Sequence, residues 1–215
     1  PDPTPPPIDR IAKRNLALLT DRFEPIAAAL WEARKGLRNR KQSPRFLTLP
    51  SKTGYPTCRD ARSGVFLHDP NDPVSQAREH VKTIHLMEHR LIVVYRAGLG
   101  YVPLELIARC EHEANRCRML IHEDRWEVLW ETLLNVDCSR LLRSRNVFLV
   151  CGEEANGQAL SILEQYPSMY RSGLDVIPGC GMDETANHLS CEFVDKTKAI
   201  ASSSEQKRRV LGNEK

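Results

Sequence analysis

Leu91-Ile-Val-Val-Tyr-Arg-Ala-Gly-Leu-Gly-Tyr101 decides the fold. Leu91 to Tyr95 is a continuous apolar run of strand length, too uniformly apolar for a strand with one wet face; such runs belong to parallel sheets covered on both sides. The Gly98-Leu-Gly100 turn follows, then a helical stretch from Pro103 to Glu113. Downstream the unit repeats. Arg118-Met-Leu-Ile-His122 reads as a second strand ending at the acidic corner Glu123-Asp124. Asp124 and Glu127 have capping-box spacing, and Trp126, Leu129, Trp130 and Leu133 form a helical stripe. Val147-Phe-Leu-Val-Cys151 is a third apolar run, closed by Gly152 and followed by a helix from Glu153 to Gln165. Strand and helix alternate three times, which predicts an α/β fold: a Rossmann-like, mostly parallel sheet with helices on both faces.

Upstream, Asp69-Pro-Asn-Asp-Pro73 is a turn in which Asp72 is placed to cap a helix and Pro73 to open it, with Val74, Ala77, Val81 and Ile84 on one face. Phe46–Leu49, Tyr55–Arg59 and Val65–His68 are short, turn-bounded segments that read as a small strand meander. Residues 45–165 thus form the α/β domain with its meander. Within 8–44, Ile11, Leu18, Leu19, Phe23, Ile26, Leu30 and Trp31 place one apolar stripe on a helix or helix pair ending before Gly36, with Arg34 to Lys41 as a linker. Residues 1–7 are mostly proline and read as a disordered leader. In 166–215 the turn residues Pro167, Gly173, Pro178, Gly179 and Gly181 suggest an irregular extension, with Asp183 to Ala201 as one helix and a polar, disordered tail.

Composition narrows the function classes. The 215 residues hold 31 Lys plus Arg against 28 Asp plus Glu, a net charge of +3, with the basic residues scattered among acids rather than gathered on one patch. That argues against nucleic acid as a partner. No apolar run approaches the roughly 18 residues a membrane span requires. Seven cysteines, an odd number without a C-x-x-C pair, point to reduced thiols in a cytoplasmic protein rather than to disulfides or a zinc site. A chain that starts at Pro1 rather than methionine is expected to be part of a longer one.

Chemistry concentrates at the glycine loop. Gly98 and Gly100 let backbone approach a ligand, the helix that begins near Tyr101 attracts anions, and Glu123, at the end of the second strand, stands where a carboxylate would take a ribose hydroxyl. Gly98, Gly100, Tyr101 and Glu123 are therefore the candidate cofactor-binding residues, for a nucleotide or S-adenosylmethionine, although Pro103 replaces the third glycine of the dinucleotide fingerprint. The alternative is that these glycines only permit a tight turn and close helix packing. His85-Leu-Met-Glu-His89 has the spacing of an inverted zinc-peptidase motif but runs almost directly into the Leu91 strand, so no metal site is expected. No nucleophile elbow or Walker loop occurs, and no catalytic residue is identified.

Taken in order, these segments resemble the N-terminal domain of the motility accessory factor (Maf) glycosyltransferases, which modify bacterial flagellin with nonulosonic acids. The resemblance covers residues 8 to 165. It is carried by Asn15-Leu16-Ala-Leu-Leu19 with Phe23, by His68-Asp69-Pro70 to Pro73, by Leu91 to Tyr101, by Leu120-Ile-His-Glu-Asp124, and by Asp137-Cys-Ser-Arg-Leu-Leu142 with Val147 to Gly152. Arg96, where the family favours a small residue, and His122 depart from the pattern. The resemblance implies an accessory, non-catalytic domain, with flagellin and a downstream transferase domain of the same chain as partners. A class I methyltransferase, suggested by Gly98, Gly100 and Glu123, is the alternative. A protein-interaction module, using the leader helix and the helix of Trp126 and Trp130, is the second.

Overall fold

Pro25 divides the N-terminal stripe into two helices. Its ring has no N–H for the carbonyl four residues back, so α1 (Ile8–Arg22) ends and α2 (Glu24–Asn39) starts anew. The computed structural model describes residues 8–39, 44–86, 90–113, 117–170, 172–180 and 191–203. α2 runs through Gly36, so residues 34–39 are helical and the linker and helix end expected there are corrected. One interior glycine costs about 1 kcal/mol, which helix contacts offset. α2 packs on α1 and on α5 (Trp126–Asn135). There the Trp31 and Trp130 rings meet edge-on at 5.4 Å, and Arg34 lies 3.7 Å over Trp130.

β1 (Phe46–Pro50) and β2 (Pro56–Asp60) form an antiparallel hairpin. The third strand of the expected meander reduces to a single bridge between Arg59 and Phe66. α3 (Pro73–Lys82) starts as its sequence dictates, the Asp72 side chain accepting from the Ser75 N–H at 3.0 Å with Pro73 in the first turn.

The main sheet holds β3 (Leu91–Tyr95), β4 (Arg118–Glu123), β5 (Val147–Cys151) and β6 (Leu174–Pro178), all parallel, in the order β5-β4-β3-β6. The chain enters at β3, steps outward to β4 and β5, then crosses back to add β6 on the other side of β3. That order is Rossmann-like. α4 (Tyr101–His112) links β3 to β4; α5 and α6 (Ser139–Arg143) link β4 to β5; α7 (Ala155–Gln165) and a 3-10 turn (Pro167–Tyr170) precede β6. Alternation along β3 sends Ile92 and Val94 into a core with α1 to α6, and Leu91, Val93 and Tyr95 into a second core with α7 and the helical residues 191–203. The helix expected over 183–201 is described only from 191.

Two further expectations are corrected. Asp124 does not cap α5, whose N-cap is Arg125; its carboxylate takes the Arg96 guanidinium instead. Cys110 and Cys117 are disulfide-bonded, so the thiols are not all reduced. The end of α4 and the start of β4 are joined by a short connection that brings the two Cα atoms to 6.7 Å. Of the H-x-x-E-H motif, Glu88 and His89 lie outside the described residues. No group of three potential metal ligands occurs among the described residues, nor any helix long and apolar enough to cross a membrane.

Asn15 fastens α1 to this frame. Fully buried, it donates from Nδ2 to the carbonyls of Leu133 (2.9 Å) and Val136 (2.7 Å) and accepts from the Cys138 N–H at 3.1 Å. Asn15→Ala strands three backbone groups and is expected to lower stability by about 3 kcal/mol. Urea denaturation checks this: a loss below about 1 kcal/mol would mean that water replaces the amide.

Candidate functional site

Each backbone N–H from Ala97 to Gly100, in the turn from β3 into α4, is hydrogen-bonded within the protein, two to side chains and two to backbone carbonyls. The Ala97 N–H donates to His122 O at 3.0 Å, the Gly98 N–H to Glu123 Oε2 at 2.9 Å, and the Leu99 N–H to His68 Nε2 at 2.8 Å. The Gly100 N–H turns back to Ala97 O at 3.1 Å, and Gly100 caps α4 at φ 79°. The Thr132 hydroxyl, on α5, lies 2.9 Å from Gly98 O. Gly98 has φ +60°, and a Cβ there would collide with the His68 ring and come within 2.9 Å of Cys180 Cβ. Only glycine fits.

Glu123 is the centre of this arrangement and is 2% exposed. Besides the Gly98 N–H it takes Arg125 Nε at 2.6 Å on Oε1 and Arg125 Nη2 at 2.9 Å on Oε2. Burial pushes the Glu123 carboxyl up, while the Arg125 guanidinium and the Gly98 N–H pull it back. Burial acts to lower Arg125, but Glu123 holds it above its usual range. Beside them Arg96 Nη2 meets Asp124 Oδ2 at 2.6 Å, so two cations and two anions balance. Arg96 sits at φ +51°, an uncommon conformation for a side chain with a Cβ, and the bidentate pair with Asp124 holds it there.

Of the four residues singled out in sequence, Gly98 and Glu123 are brought into direct contact and Gly100 lies in the same turn. Tyr101 points elsewhere. Its hydroxyl donates to Pro56 O at 2.6 Å, tying α4 to the hairpin, and its ring stands edge-on to His68. Arg125, Thr132 and Cys180 complete the site without a sequence signal, and His68, quoted within the family resemblance, joins them; the four come from three separate segments, and only the fold collects them.

The space left beside the loop is small. A cavity of about 40 Å³, bordered by Gly98, Gly100, Glu123 and Thr132, is on the scale of one water. Pockets that hold cofactors span roughly 300–1,000 Å³. The crevice between β3 and β6 is shut as well, since the Gly179 N–H donates to Tyr95 O at 2.8 Å and a Cβ on Gly179 would lie 2.5 Å from Ala97 Cα. A ribose approaching Glu123 would have to displace Arg125.

No protein-family model matches the sequence, and no curated protein matches it significantly. Among solved structures, the fold is similar to that of the MAf glycosyltransferase from Magnetospirillum magneticum AMB-1, with a TM-score of 0.62 and 15% sequence identity. The match covers 90% of this chain and 36% of that one. The chain therefore spans about a third of the length of the enzyme it matches.

Two outcomes are expected from this geometry. Glu123→Gln keeps an acceptor for Gly98 but leaves the Arg125 charge with only Asp124, 3.5 Å away, so stability should fall by about 3 kcal/mol. Arg125→Met in the same chain should recover part of that loss; urea denaturation of both variants reads it. The second outcome concerns acid. Burial lowers His68 to about 3 and His122 to about 4, from an ordinary value of 6.5. Between pH 6.5 and 4 the unfolded chain binds protons that the native chain refuses, so stability should fall as pH falls through that window. The slope is about 1.4 kcal/mol per pH unit for each histidine, and His122→Phe should remove one share of it.

Proposed function

We propose that this chain is the accessory, N-terminal domain of a Maf-like glycosyltransferase that modifies Ser or Thr of flagellin with nonulosonic acids. The observation that carries the reading is the likeness of nine-tenths of this chain to about a third of a MAf glycosyltransferase. The ordered segments from Asn15 to Gly152 support it. So does the state of the glycine loop. Its N–H groups, which in a cofactor-binding domain would face a phosphate, are spent on Glu123 and His68. In this reading the Gly98–Gly100 turn is a packing device that locks β3, β4, α4 and α5 into one frame, and the chemistry of transfer belongs to another domain.

The test uses the purified 215-residue chain with flagellin and a nucleotide-activated nonulosonic acid. Binding of flagellin without a sugar-mass increase on the acceptor is the expected result. Sugar transfer by this chain alone overturns the accessory role, and failure to bind flagellin removes flagellin as its partner. The methyltransferase alternative makes the opposite demand on the loop. S-adenosylmethionine should give no heat in calorimetry at millimolar concentration; heat that disappears in Glu123→Ala would reinstate it.

A further inference from the structure

The two edges of the main sheet differ. β6, on one side, carries Asp175 and Pro178, residues that discourage further pairing. β5, on the other, is Val-Phe-Leu-Val-Cys, with neither a charge nor a proline. Its ladder with β4 fixes which backbone groups are left over. The Met119 N–H donates to Asn146 O and the Gly152 N–H to Glu123 O, so residues 146, 148, 150 and 152 turn towards β4, while Val147, Leu149 and Cys151 turn outward. Val147 is satisfied within the chain: its N–H donates to Ser144 O at 3.2 Å and its carbonyl accepts from Arg22 Nη2 at 2.7 Å. Leu149 and Cys151 keep a donor and an acceptor each for the outer edge. Both line a groove of about 750 Å³ whose walls include Ile26 and Ala29 of α2 and Gly157 and Ser161 of α7.

Charge is sorted along this edge. Arg22 and Arg145 lie at its amino end, and Glu153 and Glu154 follow its carboxyl end. Among the described residues none of these four is in an ion pair. Burial and the neighbouring Arg145 both act against the Arg22 charge. An edge that is basic at one end and acidic at the other is complementary to itself when reversed. Gly157 points the same way. It sits in the first turn of α7 without a left-handed φ, and a Cβ there would meet nothing within 4 Å, so its own chain gives no reason for so poor a helix former.

We propose that two copies of this chain pair through their β5 edges, antiparallel about a two-fold axis at Val150, so that the two four-stranded sheets become one. In that register Leu149 stands opposite the partner's Cys151, and Cys151 opposite the partner's Leu149. Each such pair exchanges two hydrogen bonds, so the groups that β4 and Arg22 leave over are the ones consumed. Val147, which holds Arg22, comes opposite the partner's Glu153, and Arg145 comes beside the partner's Glu154. α7 packs over β4 and β5, so the two α7 helices come about two strand spacings apart, roughly 10 Å, the ordinary distance for packed helices. Gly157 and Ser161 then face their counterparts, where a longer side chain would hold the helices apart. This interface is separate from the glycine loop and does not depend on the transferase reading.

Sedimentation velocity of the 215-residue chain, together with hydrogen exchange of its amides, tests the proposal. The chain should pass from monomer to dimer as its concentration rises, and the Leu149 and Cys151 N–H groups should become protected over the same range. Gly157→Gln should raise the dissociation constant by about tenfold or more, because the helices can no longer approach, while the folded monomer gains a better helix former. Glu154→Lys should weaken the dimer by about fivefold, and Arg145→Glu in the same chain should restore it. Circular dichroism establishes that each variant is folded. A chain that stays monomeric at every concentration up to about 1 mM overturns the proposal, since a specific interface should be populated there. A dimer that neither Gly157→Gln nor the charge exchange alters is formed elsewhere and overturns it equally.

Discussion

A carboxylate that is almost wholly buried must be paired, and Glu123 satisfies that requirement by drawing four parts of the chain together. Gly98 brings the β3–α4 turn and Arg125 the start of α5, while Arg125 in turn reaches Cys180 beyond β6. The Glu123 carbonyl also receives the Gly152 N–H after β5 at 3.0 Å. Every strand of the main sheet therefore has its carboxyl end referred, directly or through one partner, to a single residue.

That constraint has a functional consequence. A glycine turn after the first strand of a Rossmann-like sheet leaves backbone N–H groups pointing at the place where a phosphate would lie. Here an internal carboxylate and an imidazole take that position, and the cavity beside them is reduced to about 40 Å³. The same geometry that binds a dinucleotide in other proteins here serves cohesion. On the opposite face of the sheet the contacts are aromatic instead: Tyr95 and His122 stack on one another, and Phe193 from the 191–203 helix lies against both.

β3, β4 and β5 were legible because a sheet covered on both faces favours uninterrupted apolar runs, and Leu91–Tyr95 and Val147–Cys151 satisfy that demand residue for residue. β6 was not. Leu174-Asp-Val-Ile-Pro178 is an edge strand with a charge inside it, and Asp175 is tolerated because Arg90 pairs with it from the β3 side. Pro178, which cannot donate to a ladder, closes the strand. Asp124 looked like a helix cap from its spacing to Glu127. A charged, bidentate partner in Arg96 outweighs one backbone N–H, so the spacing misled. Gly36 misled in the other direction, since packing of α2 against α1 and α5 carries the helix past it.

By itself the sequence determined the α/β class, the parallel strands and the tight glycine turn, because each depends on local periodicity or on the conformation of one residue. It also brought Gly98 and Glu123 under one hypothesis, since a strand, a helix and a strand set their distance. What that pair does was decided only in three dimensions. Arg125 reaches back over Glu123, His68 arrives from a segment 31 residues before Leu99, and Phe193 lies against Tyr95 and His122 from near the far end of the chain. Such contacts carry no periodicity and no spacing. They exist because the compact chain must neutralise or hydrogen-bond each polar group it buries, and the partner can come from anywhere the fold makes near.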